Sequence, residues 1–260
     1  MALAAVALLR EVFEDGEVLD RVMARAFRTN RRWGKRDRGF IAESVWEVVR
    51  WRRALAWVAQ SDEMAALLAV VWERAGYAVP DWWTWGGGVT AEGFVAREAQ
   101  LVWQPRAVRE SVPDWLDERG LSELGERWEA VLAALNTRAP VFLRVNRLRA
   151  TRDEVIEWLT AERVVASPVE GTADGLVLDG ALPRRLAGDG RIEIQDAGSQ
   201  RVVPMMEAEP GMRVMDVCAG AGGKTLHLAS VMEGRGELVA MDIHEGKLRV
   251  LDKRARRAGV

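Results

Sequence analysis

Residues 213–258 read, in order, as strand, glycine-rich turn, helix, strand and helix, and no other stretch constrains the fold as tightly. Arg213-Val214-Met215-Asp216-Val217-Cys218 is a β-prone run. A helix is expected from about Lys224 to Met232, then a strand over Leu238-Val239-Ala240-Met241-Asp242, then a basic helix from about Glu245 to Ala258. Consecutive β-α-β-α units demand a parallel sheet with right-handed crossovers, so this part of the chain is α/β.

The turn itself, Asp216-Val217-Cys218-Ala219-Gly220-Ala221-Gly222-Gly223-Lys224-Thr225, carries the chemistry. Glycines between a strand and a helix let a ligand approach the backbone, and the helix N-terminus presents unpaired N–H groups to it. Asp242 stands twenty residues after Gly222, at the end of the next strand. A carboxylate there can accept both hydroxyls of a ribose, so loop and acid together mark a nucleoside cofactor site. Two phosphate-binding patterns fit poorly. The dinucleotide fingerprint needs a third glycine where Thr225 stands, and the Walker loop needs glycine at Cys218. Gly223-Lys224-Thr225 is a near miss that leaves nucleotide binding as a weaker reading.

Two further blocks precede this one. Residues 1–135 are expected to be helical, with Val18, Val22, Ala26 and then Ile41, Val45, Val48, Val49 at helical spacing. The apolar start, Met1 to Leu9, runs into Arg10, Glu11 and Glu14 without a basic leader, which reads as an amphipathic helix rather than a secretion signal. Asn30 to Arg38 is expected to be a polar basic turn. Pro80 to Gly88, with Trp82, Trp83, Trp85 and three glycines, is expected to be a loop, and Pro113 to open a helix. Residues 138–196 read as a small α+β unit. Its strands are Val141–Val145, Gly175–Leu178 and Arg191–Ile194, with an extended piece after Val164, and Thr151 caps a helix with Glu154 completing a capping box.

Charge is uneven along the chain. Between Asp20 and Arg53, Lys and Arg outnumber Asp and Glu eleven to four; between Ser61 and Ala134 they are outnumbered thirteen to six. The net charge of −2 therefore conceals a basic N-terminal segment able to meet phosphates, through Arg31, Arg32, Lys35, Arg36 and Arg38. A charge run is equally well a solvated face, and Asp37 is placed to pair with one of the arginines. One cysteine excludes an intrachain disulfide, and with only His227 and His244 beside it no metal site is expected. Both histidines read as packing or surface residues. No run of about twenty apolar residues is present, so no membrane span is expected, and the chain reads as cytoplasmic. Eleven of the twelve tryptophans lie at or before Trp128, most of them expected as core anchors; Trp82, Trp83 and Trp85 are the candidates for base stacking.

The loop resembles the first cofactor motif, Asp-x-Cys-Ala-Ala-Pro-Gly-Gly-Lys-Thr, of the RsmB-like, or Nol/Nop/Sun, S-adenosylmethionine-dependent RNA cytosine-5 methyltransferases. This chain has Gly220 and Ala221 where that motif has Ala and Pro. Gln195-Asp196-Ala197-Gly198-Ser199-Gln200 resembles the group's Gln-Asp-x-x-Ser motif. Asp242, Lys247-Leu248, Arg257 and Gly259 resemble its second motif, and Pro140 to Asn146 its Arg-Val-Asn strand. Ordered matches cover 138–260 well and 1–135 only loosely.

The resemblance implies an α/β fold in three parts: a helical, loosely NusB-like domain (1–135), a small α+β RNA-binding subdomain (138–196) and the first β-α-β-α units of a Rossmann-like methyltransferase domain (197–260). It implies S-adenosyl-L-methionine as cofactor, held by Cys218, Ala219, Gly220, Ala221, Gly222, Gly223, Lys224 and Asp242. It implies RNA, in particular ribosomal RNA, as partner, with Arg144 joining the basic N-terminal residues. In that group a cysteine thiolate attacks carbon 6 of cytosine and carbon 5 takes the methyl group, from motifs later in the chain. Cys218 belongs to the cofactor loop and is expected buried beneath the cofactor, which leaves no catalytic residue here. The expectation is a fragment, a truncated product or half of a split protein, inactive alone; the alternative is a non-catalytic RNA-binding protein derived from such an enzyme.

Overall fold

The structure, a computed structural model, describes residues 1–80, 82–83 and 91–260, with only the backbone of residues 91 and 92. It divides into two compact units, Met1–Thr137 and Arg138–Val260.

Helices α1 (Ala2–Phe13), α2 (Leu19–Thr29), α3 (Lys35–Ala59), α4 (Met64–Arg74), α5 (Ala91–Gln100), α6 (Arg106–Arg109), α7 (Asp114–Leu124) and α8 (Arg127–Leu135) build the first unit. Helix α3 is its spine. The apolar residues Ile41, Val45, Val48, Leu55 and Val58 recur along one stripe of α3 and are all fully buried, against Leu9 of α1 and Leu67 and Leu68 of α4. A kink at Trp51 (φ −107°, ψ 22°) divides the helix. Leu67 has no exposed surface, and Leu67→Ala is expected to cost about 2–5 kcal/mol. The fall should be read in urea unfolding by tryptophan emission, since eleven of the twelve tryptophans lie in this unit.

Two expectations change here. The basic turn ends at Gly34, because Lys35 already begins α3, and the Asp37 carboxylate accepts the Gly34 N–H (2.8 Å) to close the helix start rather than pairing with an arginine. Trp83 is a core residue, 4% exposed, whose indole N–H donates to Ala65 O (3.0 Å), so it offers no stacking face; Trp85 lies outside the described residues. Trp72 and Trp128 are buried too, and Trp33, Trp51 and Trp57 half-buried, whereas Trp46, Trp82, Trp103 and Trp115 are exposed. No single helix among the described residues is long and apolar enough to cross a membrane.

The second unit opens with a four-stranded antiparallel sheet ordered β2-β3-β1-β4, from β1 (Val141–Val145), β2 (Ala166–Pro168), β3 (Gly175–Leu178) and β4 (Ile192–Ile194). Helix α9 (Arg152–Ala161) covers one face. Thr151 and Glu154 form the expected capping box, and Leu143, Val145, Leu176 and Ile192 meet Val155 and Leu159 in a closed apolar core. Helix α10 (Ala197–Val202) leads on to β5 (Arg213–Asp216), α11 (Gly223–Val231), β6 (Glu237–Ala240) and α12 (Glu245–Ala258). Strands β5 and β6 pair in parallel with α11 between them, and Val214 and Leu238 pack under Leu228 and Met232. The opposite face carries Met215, Val217 and Met241, all at least half exposed.

Candidate cofactor site

The glycine loop grows out of β5. Asp216 closes its base, accepting Thr225 Oγ1–H (2.7 Å) and the Cys218 N–H (3.3 Å). The chain then turns through left-handed backbone at Gly220 (φ 54°) and Gly222 (φ 90°), where a side chain would be strained. At Gly220 that conformation gives a reason for glycine in place of the alanine of the related motif. At Gly222 the reason is also space: a Cβ would lie 2.7 Å from Leu251 Cγ of α12. Gly222 caps α11, so the unpaired first-turn N–H groups of that helix face the loop.

Asp242 lies two residues past the end of β6 and is joined to the loop directly. Its Oδ2 accepts the Gly220 N–H (2.8 Å), and its Oδ1 accepts the His244 N–H (2.8 Å) and lies 3.1 Å from His244 Nδ1. The amide of His244, then that of Gly220, holds the Asp242 carboxyl below the usual carboxylate range. Oδ2 keeps a further acceptor direction for a ribose hydroxyl, and Oδ1 offers a second where the exposed His244 ring does not donate to it. The structure thus brings Gly220, Gly222 and Asp242 into one constellation, with Ala219 just before the glycines, Ala221 between them and Lys224 exposed just beyond them.

Cys218 is exposed in the chain itself, on the loop where the cofactor is expected. One assignment needs correction. Arg144, expected at an RNA surface, is 1% exposed. It donates to Gln195 Oε1 and to Gly223 O (2.7 Å), and burial pushes its pKa down to about 10. Phosphates have no access to it. The remaining basic residues lie in the first unit. Arg31, Arg32, Lys35 and Arg36 are exposed and have no ion-pair partner among the described residues. Arg38 is half-buried, donating to Trp33 O (3.0 Å) over the Phe27 ring.

Sequence reasoning missed Glu193 and Arg254. Glu193 is 4% exposed and accepts from Arg254 (2.6 Å) and Arg257 (3.3 Å). Its signal was a carboxylate at the centre of Ile192-Glu193-Ile194, a strand flanked by apolar residues.

The comparisons with known proteins agree with this architecture. The crystal structure of PH0851 superposes with a TM-score of 0.70 at 20% identity, covering 99% of this chain and 66% of that one, which shows the fold alone. A methyltransferase homolog from Pyrococcus horikoshii gives 0.55 at 26% identity, over 59% of this chain and 52% of that one. The family model for the ferredoxin-like domain of RsmF/B-like methyltransferases matches residues 112–185, and that for the 16S rRNA methyltransferase RsmB/F matches 203–260. A helical region, a ferredoxin-like domain and a methyltransferase-type β-α-β segment define the class. Within it, the chain belongs to the RsmB/F family of methyltransferases.

Among curated relatives, ribosomal RNA small subunit methyltransferase B of Pseudomonas syringae is 38% identical over 146 residues, 54% of this chain and 32% of that protein. Its counterpart in Pseudomonas putida is 37% identical over 144 residues, 54% of this chain and 33% of that protein. The matched stretch therefore spans about a third of those relatives.

Proposed function

We propose that this chain binds S-adenosylmethionine on the loop Cys218–Lys224 and serves methylation of cytosine carbon 5 in ribosomal RNA. The observation that carries the reading is the hydrogen bond from the Gly220 N–H to Asp242 (2.8 Å), which fixes a ribose-binding carboxylate against a glycine loop at a helix N-terminus. The residues fit the cofactor. Asp242 retains acceptors for the ribose hydroxyls, the glycines admit the ligand to the backbone, and the first-turn amides of α11 suit its carboxylate. When bound, the cofactor supplies an electrophilic methyl group. The chain's own residues bind and orient it; Cys218, the sole cysteine, belongs to the loop, so no thiol here is left to attack the base. The fold of 197–260 is read as the opening of a Rossmann-like domain, the ferredoxin-like sheet as part of an RNA-binding surface, and Arg31, Arg32, Lys35 and Arg36 as phosphate contacts. An RNA substrate of this kind places the chain in the cytoplasm.

Calorimetric titration tests the reading. S-adenosylhomocysteine should give saturable heat with the folded chain, and ATP should neither bind comparably nor displace it. ATP winning that competition would restore the nucleotide reading of Gly223-Lys224-Thr225. No binding of either by a folded chain would sink the cofactor site and favour a non-catalytic RNA-binding role.

A further inference from the structure

Strand β4 lies antiparallel to β1 with Glu193 directly opposite Arg144. Their neighbours Leu143, Val145 and Ile192 point into the apolar core beneath α9, so the two charged side chains share the other face of the sheet. Both are buried, at 1% and 4% exposure. A buried charge is costly unless paired, and here the pairing runs to the cofactor loop. Glu193 accepts from Arg254 of α12 through one oxygen (2.6 Å) and from Arg257 through the other (3.3 Å). The same Arg254 guanidinium donates to Ala221 O (2.6 Å), and Arg144 donates to Gly223 O (2.7 Å). The carbonyls on either side of Gly222 are therefore each held by an arginine.

We propose that Arg144, Glu193 and Arg254 are positioning residues of the cofactor loop, making the ferredoxin-like sheet the rear support of the cofactor site. The inference rests on the reading of Cys218–Lys224 as that site. A trans peptide points its C=O and N–H in opposite directions. Holding Gly223 O from behind therefore fixes the direction of the Lys224 N–H, one of the first-turn donors of α11 without an intrahelical partner. Holding Ala221 O fixes the Gly222 peptide, whose N–H closes the turn onto Ala219 O (2.9 Å). Arg254 does this only because its planar fork reaches Glu193 and Ala221 at once. A lysine would keep the charge and lose the span.

A bond that merely joined the sheet to α12 would have the same ion pairs, and Arg257 is the control for it. It shares Glu193 but does not touch the loop. The experiment measures amide hydrogen exchange of the ligand-free chain for wild type, Arg254→Lys and Arg257→Met, followed by titration with S-adenosylhomocysteine. Arg254→Lys should speed exchange in 219–226 about tenfold, the worth of one charge-assisted hydrogen bond, and leave 176–178 of β3 unchanged. Arg257→Met should lower Tm without loosening the loop. S-adenosylhomocysteine should bind Arg254→Lys about tenfold more weakly than wild type. Wild-type exchange in Arg254→Lys, equal loosening in Arg257→Met, or a loosened loop with unchanged affinity would each overturn the proposal. Should wild type itself fail to bind, the cofactor reading falls while the exchange result still decides what holds the loop. If Arg254→Lys does not fold, Arg144→Lys gives the same reading at Gly223.

Discussion

Asp242→Ala is expected to weaken S-adenosylhomocysteine binding about 100-fold or more, the largest effect of any single change in the site, because two charge-assisted hydrogen bonds to a ribose vanish together. The loss has a second source in the free protein. Removing the carboxylate leaves the Gly220 and His244 amides without their acceptor, so the loop and the start of α12 both lose a tether. Asp242→Asn separates the two contributions. It keeps the shape and one oxygen acceptor, so an intermediate affinity would assign the remainder to charge. An Asn variant as tight as wild type would show that Asp242 only caps the strand end and that the ribose lies elsewhere. The pH dependence has a definite sign. The folded carboxyl is depressed by hydrogen bonds to its charged form, so its contribution is complete above the ordinary carboxylate range and is lost only as pH falls through the lower, folded value. Binding measured between neutral pH and about pH 5 should show no loss traceable to this group.

How much of this could be read from residues alone divides along a physical line. Local rules were legible: the Thr151–Glu154 box, the helix ending at Ala258 ahead of Gly259, and the β-prone runs that became β1, β3, β5 and β6 depend on neighbours in sequence. The loop was legible because positive φ at Gly220 and Gly222 demands the residue that stands there. What was not legible depends on pairing at a distance. Arg144 reads as a surface cation until β4 places Glu193 opposite it and the loop brings Gly223 O within 2.7 Å. The basic turn after Asn30 ends early because Asp37 starts a helix, a cap that competes with the ion pair its neighbours invite.

His227 carries the second large prediction, and it concerns stability rather than binding. It sits in α11, 4% exposed, with no partner for Nδ1, and lines a cavity of about 300 Å³ with Arg147, Asp174 and Gln200. Burial, and then the positive charges of Arg144 and Arg147, push its pKa from 6.5 to about 3. The folded protein therefore holds the ring neutral while the unfolded chain takes a proton below about pH 6.5, so stability falls as pH falls through that range. Between pH 7.5 and pH 5.0 the loss from this one residue amounts to about 2 kcal/mol. Asp174, the facing carboxyl, is shifted upward by burial and acts with the opposite sign, so it offsets part of the loss only where it begins to protonate. His227→Leu should be as stable as wild type at pH 7.5, since it replaces a buried group with an unpaired nitrogen, and should lose about 2 kcal/mol less on acidification. Urea unfolding at the two pH values, read by proteolysis at sites within 138–260, measures the difference. Equal acid sensitivity in the two proteins would mean that His227 is already able to take a proton in the folded chain, through water or a shifted carboxylate, and that the cavity beside it is wet.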